Sequence, residues 1–495
     1  MAITPTRITI PLQGYGPDLD PTTPGIFSYC LGVESTMRGW RLQRAYSAQG
    51  GGGALTTLGS TSFVLEGKVT YNTAGTEVRS IAVKNSTDAK YLLYSITEGG
   101  SLTNRSGTGY AGGSVTHAVF GQYGNYTYVA MAPHAILYRD STGSSDFAAA
   151  SGAGATDIPA TAYIALTWGP PTSPRIMLLN YTGASDGWWT SSTGGLLAAW
   201  TADIATGAAN GRLLGAGALR CGLAYRDDIL VFGDRQTWLG RFVGPPAVVE
   251  WTKLSDEIGC AGPYAANVLN GVAYWVGLQG LFQYDGQGIS KVNVPIQQEI
   301  IRSGVNSLAQ ITVDGDGQRL MVAIRSGGYT SALTMAKWYS INALNGKVGL
   351  LLNKLSTAAT ASIQCALDRK YAALFDVDSL YIAEEETTPF VAALTDLMGF
   401  GLPYLGAVKG DTHLTGVYPR FITAPTSFKM TDYYGPTLSE ATSTGTAVTV
   451  TATPYRADTL QTARWHAPRL HFSVTGTTDW ECVDVVLQVA TAGSQ

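Results

Sequence analysis

The sequence predicts an all-β chain, a β-propeller followed by a C-terminal β-sandwich-like domain. Three observations predict it. Short apolar runs alternate with polar residues, and long stretches with a 3.6-residue period are almost absent. The 59 glycines among 495 residues fall largely where the chain must reverse between such runs. Hairpin units recur every few tens of residues, and a small sheet buries both its faces only when neighbouring sheets stack on it.

Residues 1–45 form an N-terminal arm that contributes strands. Residues 46–405 carry the hairpins and form the propeller, with five to seven blades. The clearest hairpin has Ile229-Leu230-Val231-Phe232, the turn Gly233-Asp234-Arg235-Gln236, and Thr237 through Phe242 as its return. The next runs from Asn270-Gly271 through Val272-Ala273-Tyr274-Trp275-Val276 and back through Leu281-Phe282-Gln283-Tyr284 to Asp285-Gly286. Paired runs at 126–131 with 135–138, 163–168 with 175–180, 320–324 with 337–341, and 371–375 with 379–382 follow the same plan. One short helix is expected over 294–302, with Pro295 near its first turn, apolar residues at Ile296, Ile300 and Ile301, and a break at Ser303-Gly304. Residues 390–408 are the most apolar stretch, but Asp396, three glycines and Pro403 interrupt it, so a buried connector is expected and not a membrane span. From 406 to 495 the strands lengthen and alternate more cleanly, at 417–422, 427–432, 446–453, 469–474 and 481–489, which predicts the sandwich.

Only 14% of residues are charged, 45% are apolar, and the formal net charge is −4. Such a chain can bury a core, and it has no basic field to attract a phosphate backbone, so stable nucleic-acid binding is not expected. The five cysteines, Cys30, Cys221, Cys260, Cys365 and Cys482, stand singly, which predicts neither a zinc site nor a disulfide framework. The first residues lack the charged and apolar regions of a signal peptide, so the N-x-[ST] triplets at Asn85, Asn104, Asn125 and Asn180 are read as chance matches.

Several motifs invite a chemical reading. Gly183-Ala184-Ser185-Asp186-Gly187 matches a nucleophile elbow, which needs a helix after the turn, yet Trp188-Trp189-Thr190-Ser191-Ser192 cannot start one. Asp314-Gly315-Asp316-Gly317 suggests a calcium loop, but Ile324, Arg325 and Ser326 stand where the closing carboxylate belongs. Glu384-Glu385-Glu386 with Asp376 and Asp378 are the local acid clusters a glycosidase would draw on. His117, His134, His413, His466 and His471 show no metal-binding spacing, so neither a metal nor any other cofactor is expected. Arginines interleaved with aromatics make Arg38, Trp40, Arg41 and Arg44 candidate protein-interface residues. Trp188 and Trp189 are candidates for a lumen-facing or carbohydrate-facing loop.

The block LSDEIGCAGPYAANVLNGVAYWVGLQGLFQYDGQGISKVNVPIQQEI, from Leu254 onward, resembles bacteriophage virion propellers in its Ile-Gly-Cys turn, its Tyr-Trp-Val-Gly hairpin with Gly-Leu-Phe, and the Asp-Gly before a short helix. With the Trp238 hairpin and the opening Pro11-Leu12-Gln13-Gly14, it is similar to the tail nozzle, or DNA-stabilising tail-hub, proteins of short-tailed phages. That resemblance implies a structural protein without catalysis. It implies a ring, typically of six copies, contacting the portal, adaptor and other tail proteins, passing viral DNA only transiently, and made in the bacterial cytoplasm before entering the virion. No membrane contact is expected. The alternatives are a virion propeller that recognises host glycan and, further off, a propeller glycosidase or lyase.

Overall fold

The structure is a computed structural model that describes residues 6–43, 47–48, 62–85, 90–96, 102–111, 115, 117–152, 155, 157–302, 309–314, 318–326, 334–351, 372–376, 379–383, 399–402, 405–406, 411–437, 443–451, 455–472 and 480–491. Among these, seven small antiparallel sheets follow one another along the chain. The first six occupy 62–111, 119–149, 162–212, 221–255, 266–291 and 310–350, each a meander of four strands with one extra strand on the first. In each sheet the first strand lies beside the first strand of the next, from Ser62–Tyr71 through Val119–Tyr123, Ala162–Trp168, Cys221–Tyr225, Ala266–Leu269 and Gln310–Asp314 to Ala372–Asp376. Those first strands surround the axis of a β-propeller. The seventh sheet, Ala372–Asp376 and Ser379–Ala383, takes its third strand from Ser47–Ala48, which precedes the first blade in sequence.

Local sequence dictates the hairpins. Asn270 and Gly271 both take positive φ, 53° and 75°, as the tight turn between Ala266–Leu269 and Val272–Gly277 requires. The expected hairpins at 229–242 and 272–284 are present as Asp228–Phe232 with Thr237–Gly244 and Val272–Gly277 with Gly280–Tyr284. Their apolar faces meet between blades: Phe232 of the fourth sits 5.1 Å from Trp275 of the fifth, which in turn stacks on Phe282 at 5.9 Å. The expected helix is Gln297–Arg302. Gln297 locks it to the fifth blade, since its Nε2 donates to the Leu281 and Val292 carbonyls at 3.1 and 2.6 Å while its Oε1 accepts from the Leu281 amide at 2.8 Å.

The sandwich joins both ends of the chain. One sheet combines Thr6–Pro11, Val33–Ser35 and Trp40–Leu42 with Thr412–Thr423, Ala457–Ala463 and Glu481–Thr491. The other combines Tyr29–Leu31, Gly399–Gly401 and Leu405–Gly406 with Phe428–Gly435, Ser443–Thr444, Val448–Val450 and Trp465–Phe472. Two short strands ahead of residue 406, where the sequence pattern changes, therefore already belong to it. Between the sheets Phe472 stacks on Trp480 at 3.8 Å, and Phe27 lies 4.7 Å from Trp40 and 4.8 Å from Phe400. Of the apolar stretch 390–408, the described residues are sandwich residues and Phe400 is wholly buried; the rest lies outside the described residues. No helix among the described residues is long and apolar enough to cross a membrane.

Sandwich and sixth blade meet at a close backbone contact. The Gly32 amide donates to the Leu350 carbonyl at 2.9 Å, and a Cβ on Gly349 would stand 2.1 Å from the Val33 carbonyl oxygen, so only glycine fits there. Beside this seam the buried carboxylate of Glu34 pairs with Arg41 at 2.7 Å and with Arg319 of the sixth blade. Burial alone would raise the Glu34 pKa, but the two guanidiniums outweigh it and hold the group at about 2.

Two consequences are testable by urea denaturation. Glu34→Gln leaves two guanidiniums without their shared partner and is expected to cost about 3–5 kcal/mol. Because the folded pKa is depressed, the stabilisation from Glu34 is complete above its ordinary value of 4.5 and disappears as pH falls toward about 2. His466 behaves oppositely. Burial disfavours its charge, yet the 2.7 Å bond to buried Asp432 and the carbonyls of Thr412 and Ala463 raise its pKa above 6.5. Its contribution is complete below 6.5 and is lost as pH rises through the raised value, a loss that His466→Gln should abolish.

Candidate functional site

The inner strands enclose an axial cavity of about 610 Å³. Among the described residues its wall comes from six blades: Lys68 to Thr73, Gly121, Gln122 and Gly124, Leu166 and Thr167, Gly222 to Ala224, Asn267 and Val268, and Val313. Glycine at 121 makes room for the Tyr128 ring, whose atoms would lie 2.2 Å from a Cβ there. Gln122 organises the wall. Its Oε1 accepts from Thr70 at 3.1 Å and from Thr127 at 2.7 Å, and its Nε2 donates to the Gly124 carbonyl at 2.9 Å and to Ser141 at 3.2 Å. Thr167 donates to the Gln122 carbonyl at 2.6 Å and sits 2.8 Å from the Tyr128 hydroxyl.

These bonds hold the wall's polar groups to one another. Among the described residues that line the cavity, Lys68 is the one charged side chain, and no carboxylate stands with it. Among the described residues, the cavity lining holds neither the paired acids of a glycosidase nor a base beside a nucleophile. At the end where the inner strands begin, Tyr264 of the fifth blade reaches the Ala118 carbonyl of the second and crosses the axis. That contact narrows the propeller's own channel.

A second cavity of about 380 Å³ lies on the side where the inner strands begin and brings together His117, Tyr163, Asn180, Ser185 and Arg220. Ser185 belongs to the elbow-like motif. It lies near the start of strand Ala184–Thr190, and that strand follows a tip at Gly183 where φ is +89° and a Cβ would touch nothing. The strand continues where an elbow needs a helix. His117 holds the Tyr163 carbonyl through Nε2 at 2.8 Å, a donor's role. Burial, with Arg220 adding to it against the pull of that carbonyl, pushes its pKa down to about 4, so the ring is neutral at pH 7.

The other residues singled out from sequence are scattered. Trp40 is fully buried in the sandwich, where its Nε1 donates to the Leu12 carbonyl at 3.1 Å, and Arg41 is engaged by Glu34. Trp40 is a correction to an interface reading, because its chemistry is turned inward, whereas Arg41 is partly exposed and lines the same surface cavity as Arg38. Arg38 does line a surface cavity of about 330 Å³ beside exposed Met37 and Glu481. Arg44 lies outside the described residues.

Trp188 and Trp189 are also corrected. They lie within a strand of the third blade, not on a loop. Trp188 is 6% exposed and packs 5.5 Å from Trp251, while Trp189 donates to the Trp200 carbonyl at 2.6 Å. Asp314 ends one strand in register with Arg319, but 315–317, Asp378 and Glu384 to Glu386 lie outside the described residues, as does the side chain of Asp376. Of the histidines, His466 is the buried partner of Asp432. Among the described residues no group of three or more His, Cys, Asp or Glu is placed to hold a metal ion.

No protein-family model matches the chain, and no curated protein does. Among solved structures it is similar to YCF48 from Cyanidioschyzon merolae, at 10% identity over 65% of this chain and 95% of that one, with a TM-score of 0.40. It is likewise similar to BamB from Moraxella catarrhalis, at 9% identity over 65% and 95% with a TM-score of 0.36, and to the RRP9 WD40 repeats, at 8% over 68% and 98% with 0.37. The propeller assignment stands on the strand order, and these likenesses carry no functional weight. Removing the packing of Trp188 is expected to cost stability: Trp188→Ala should lower unfolding free energy by about 3–5 kcal/mol in urea titrations, whereas a sugar-platform residue could be removed with little loss.

Proposed function

We propose that this chain is a non-enzymatic structural subunit of a short-tailed bacteriophage tail, a nozzle or hub ring that continues the DNA channel, retains packaged DNA and opens for ejection. The observation that carries this reading is what becomes of the resembling block. It forms the end of the fourth blade, the fifth blade and the short helix after it, and its distinctive residues are engaged in packing: Trp275 against Phe232 of the fourth blade and Phe282 within the fifth, Gln297 on the strand below, Ile296 and Ile300 in the core. A segment used in that way supports a wall element and not a catalyst.

Two further features favour the reading. The Glu34–Arg319 pair joins sandwich and propeller across a buried seam, as a ring under internal pressure would need. The axial cavity, crossed by Tyr264 at one end, is far too small for a duplex, so the DNA path runs between copies of the chain and not through the propeller. A low charge density along such a path lets DNA slide without being held. The glycan-binding alternative loses its aromatic platform, since Trp188 is buried and Trp189 is tied to Trp200.

The purified chain is expected to form rings of several copies by light scattering and negative-stain imaging. In a cryo-EM map of virions carrying it, the ring should lie on the tail axis below the portal. Density for the chain off that axis would sink the proposal.

A further inference from the structure

We infer that the cleft between the first and second blades is an oxyanion-binding site, built around Arg139 with Arg105 at its rim, for a phosphate or carboxylate group. The inference is independent of the tail assignment. It begins with a buried cation. Arg139, on strand Leu137–Asp140, is 4% exposed, and its Nε and Nη1 are buried without a hydrogen-bond partner. A guanidinium carries five donors in a planar fork and is not left dry and unmatched without cost.

Strand register shows where Arg139 points. It lies opposite Thr127, which lies opposite Gln122, so the three share one face of the second blade. That face meets the first blade, because Gln122 accepts from Thr70, and Leu137, two residues before Arg139, packs with Ala82, Tyr91 and Leu93. On the first blade the facing row is Lys68, Ser80 and Ser95, again in direct register. The Ser80 hydroxyl is buried without a partner. Ser95 accepts from Arg105 Nε at 2.9 Å, and Arg105 lies near enough to Arg139 for their charges to repel.

The facing surfaces therefore carry two guanidiniums and an idle hydroxyl, with Lys68, which also lines the axial cavity, at the inner strand. Buried Glu66 stands on the same face of the first blade, in register with Ala82 and two residues before Lys68, while two other carboxylates stand close but outside. Asp140 follows Arg139 and so points to the opposite face, where it accepts from the Thr142 amide and hydroxyl at 2.9 and 2.6 Å, and Asp146 is exposed. Burial first, and Arg105 second, pull the Arg139 pKa down, with the two aspartates only partly opposing. An oxyanion supplies what the cleft lacks, acceptors in bidentate geometry for Arg139 and a charge between two cations. Arg105, half-buried at the rim, offers the way in.

The test uses the full chain, titrated with inorganic phosphate by calorimetry and followed by thermal unfolding at constant ionic strength, with chloride as the control and acetate in parallel. Saturable binding at one site per chain and a rise in Tm are expected. Arg139→Met should weaken phosphate at least about tenfold while holding or raising Tm in chloride, since it removes an unmatched buried charge. Should that variant not fold, Arg105→Gln, at the half-exposed rim, is expected to weaken phosphate severalfold. Phosphate tighter than acetate identifies a phosphoryl ligand, and equal affinities identify a carboxylate, such as that of a peptide. The inference is overturned if neither anion acts beyond chloride, or if affinity is unchanged in Arg139→Met or, failing that, in Arg105→Gln.

Discussion

Glu34 is the residue on which the two halves of the molecule depend. Its carboxylate is buried at a seam where the sandwich strand Val33–Ser35 meets the sixth blade, and it is matched on one side by Arg41 and on the other by Arg319. A single buried acid between two guanidiniums keeps its charge only because both stay in place, and each guanidinium in turn needs the acid. Neither half can shift without unpairing a charge. The close approach of Gly349 to Val33 and the 2.9 Å bond from Gly32 to Leu350 then follow as the backbone packing that this pairing holds in register.

The propeller rests on a different principle. Each small sheet is apolar on both faces and is stable only between neighbours, so aromatic contacts such as Phe232 to Trp275 bind one blade to the next. Between the first and second blades the facing side chains include Arg139, Arg105, Ser80 and Lys68 with buried Glu66. Structural economy gives no reason for two cations there, and a bound anion does.

Function and packing use the same residues differently from what their local sequence suggests. Arg38 to Arg44 read along the chain as one basic and aromatic patch, yet a strand sends alternate residues to opposite sides. Trp40 accordingly enters the sandwich core, and Arg41 turns to Glu34. Trp188 and Trp189 likewise resemble an exposed loop because glycine and serine surround them. The burial of Trp188 comes from Trp251 on the next blade and from Gly211, whose missing side chain admits its ring, while Trp189 is half-buried and tied to the Trp200 carbonyl.

By itself the sequence determined the all-β character, the main hairpins, the short helix before Ser303 and the change to longer strands near the C-terminus. Those are set by alternation and turn residues, which act over a few positions. Only the tertiary structure decided that the N-terminal strands pair with Glu481–Thr491, that Ser47–Ala48 completes the last small sheet, that Glu34 meets Arg319, and that Arg139 lies buried against the first blade. Each of those joins segments far apart in the chain. Pairing at that range is selected by which faces must be covered and which charges must be matched, and a local pattern carries neither.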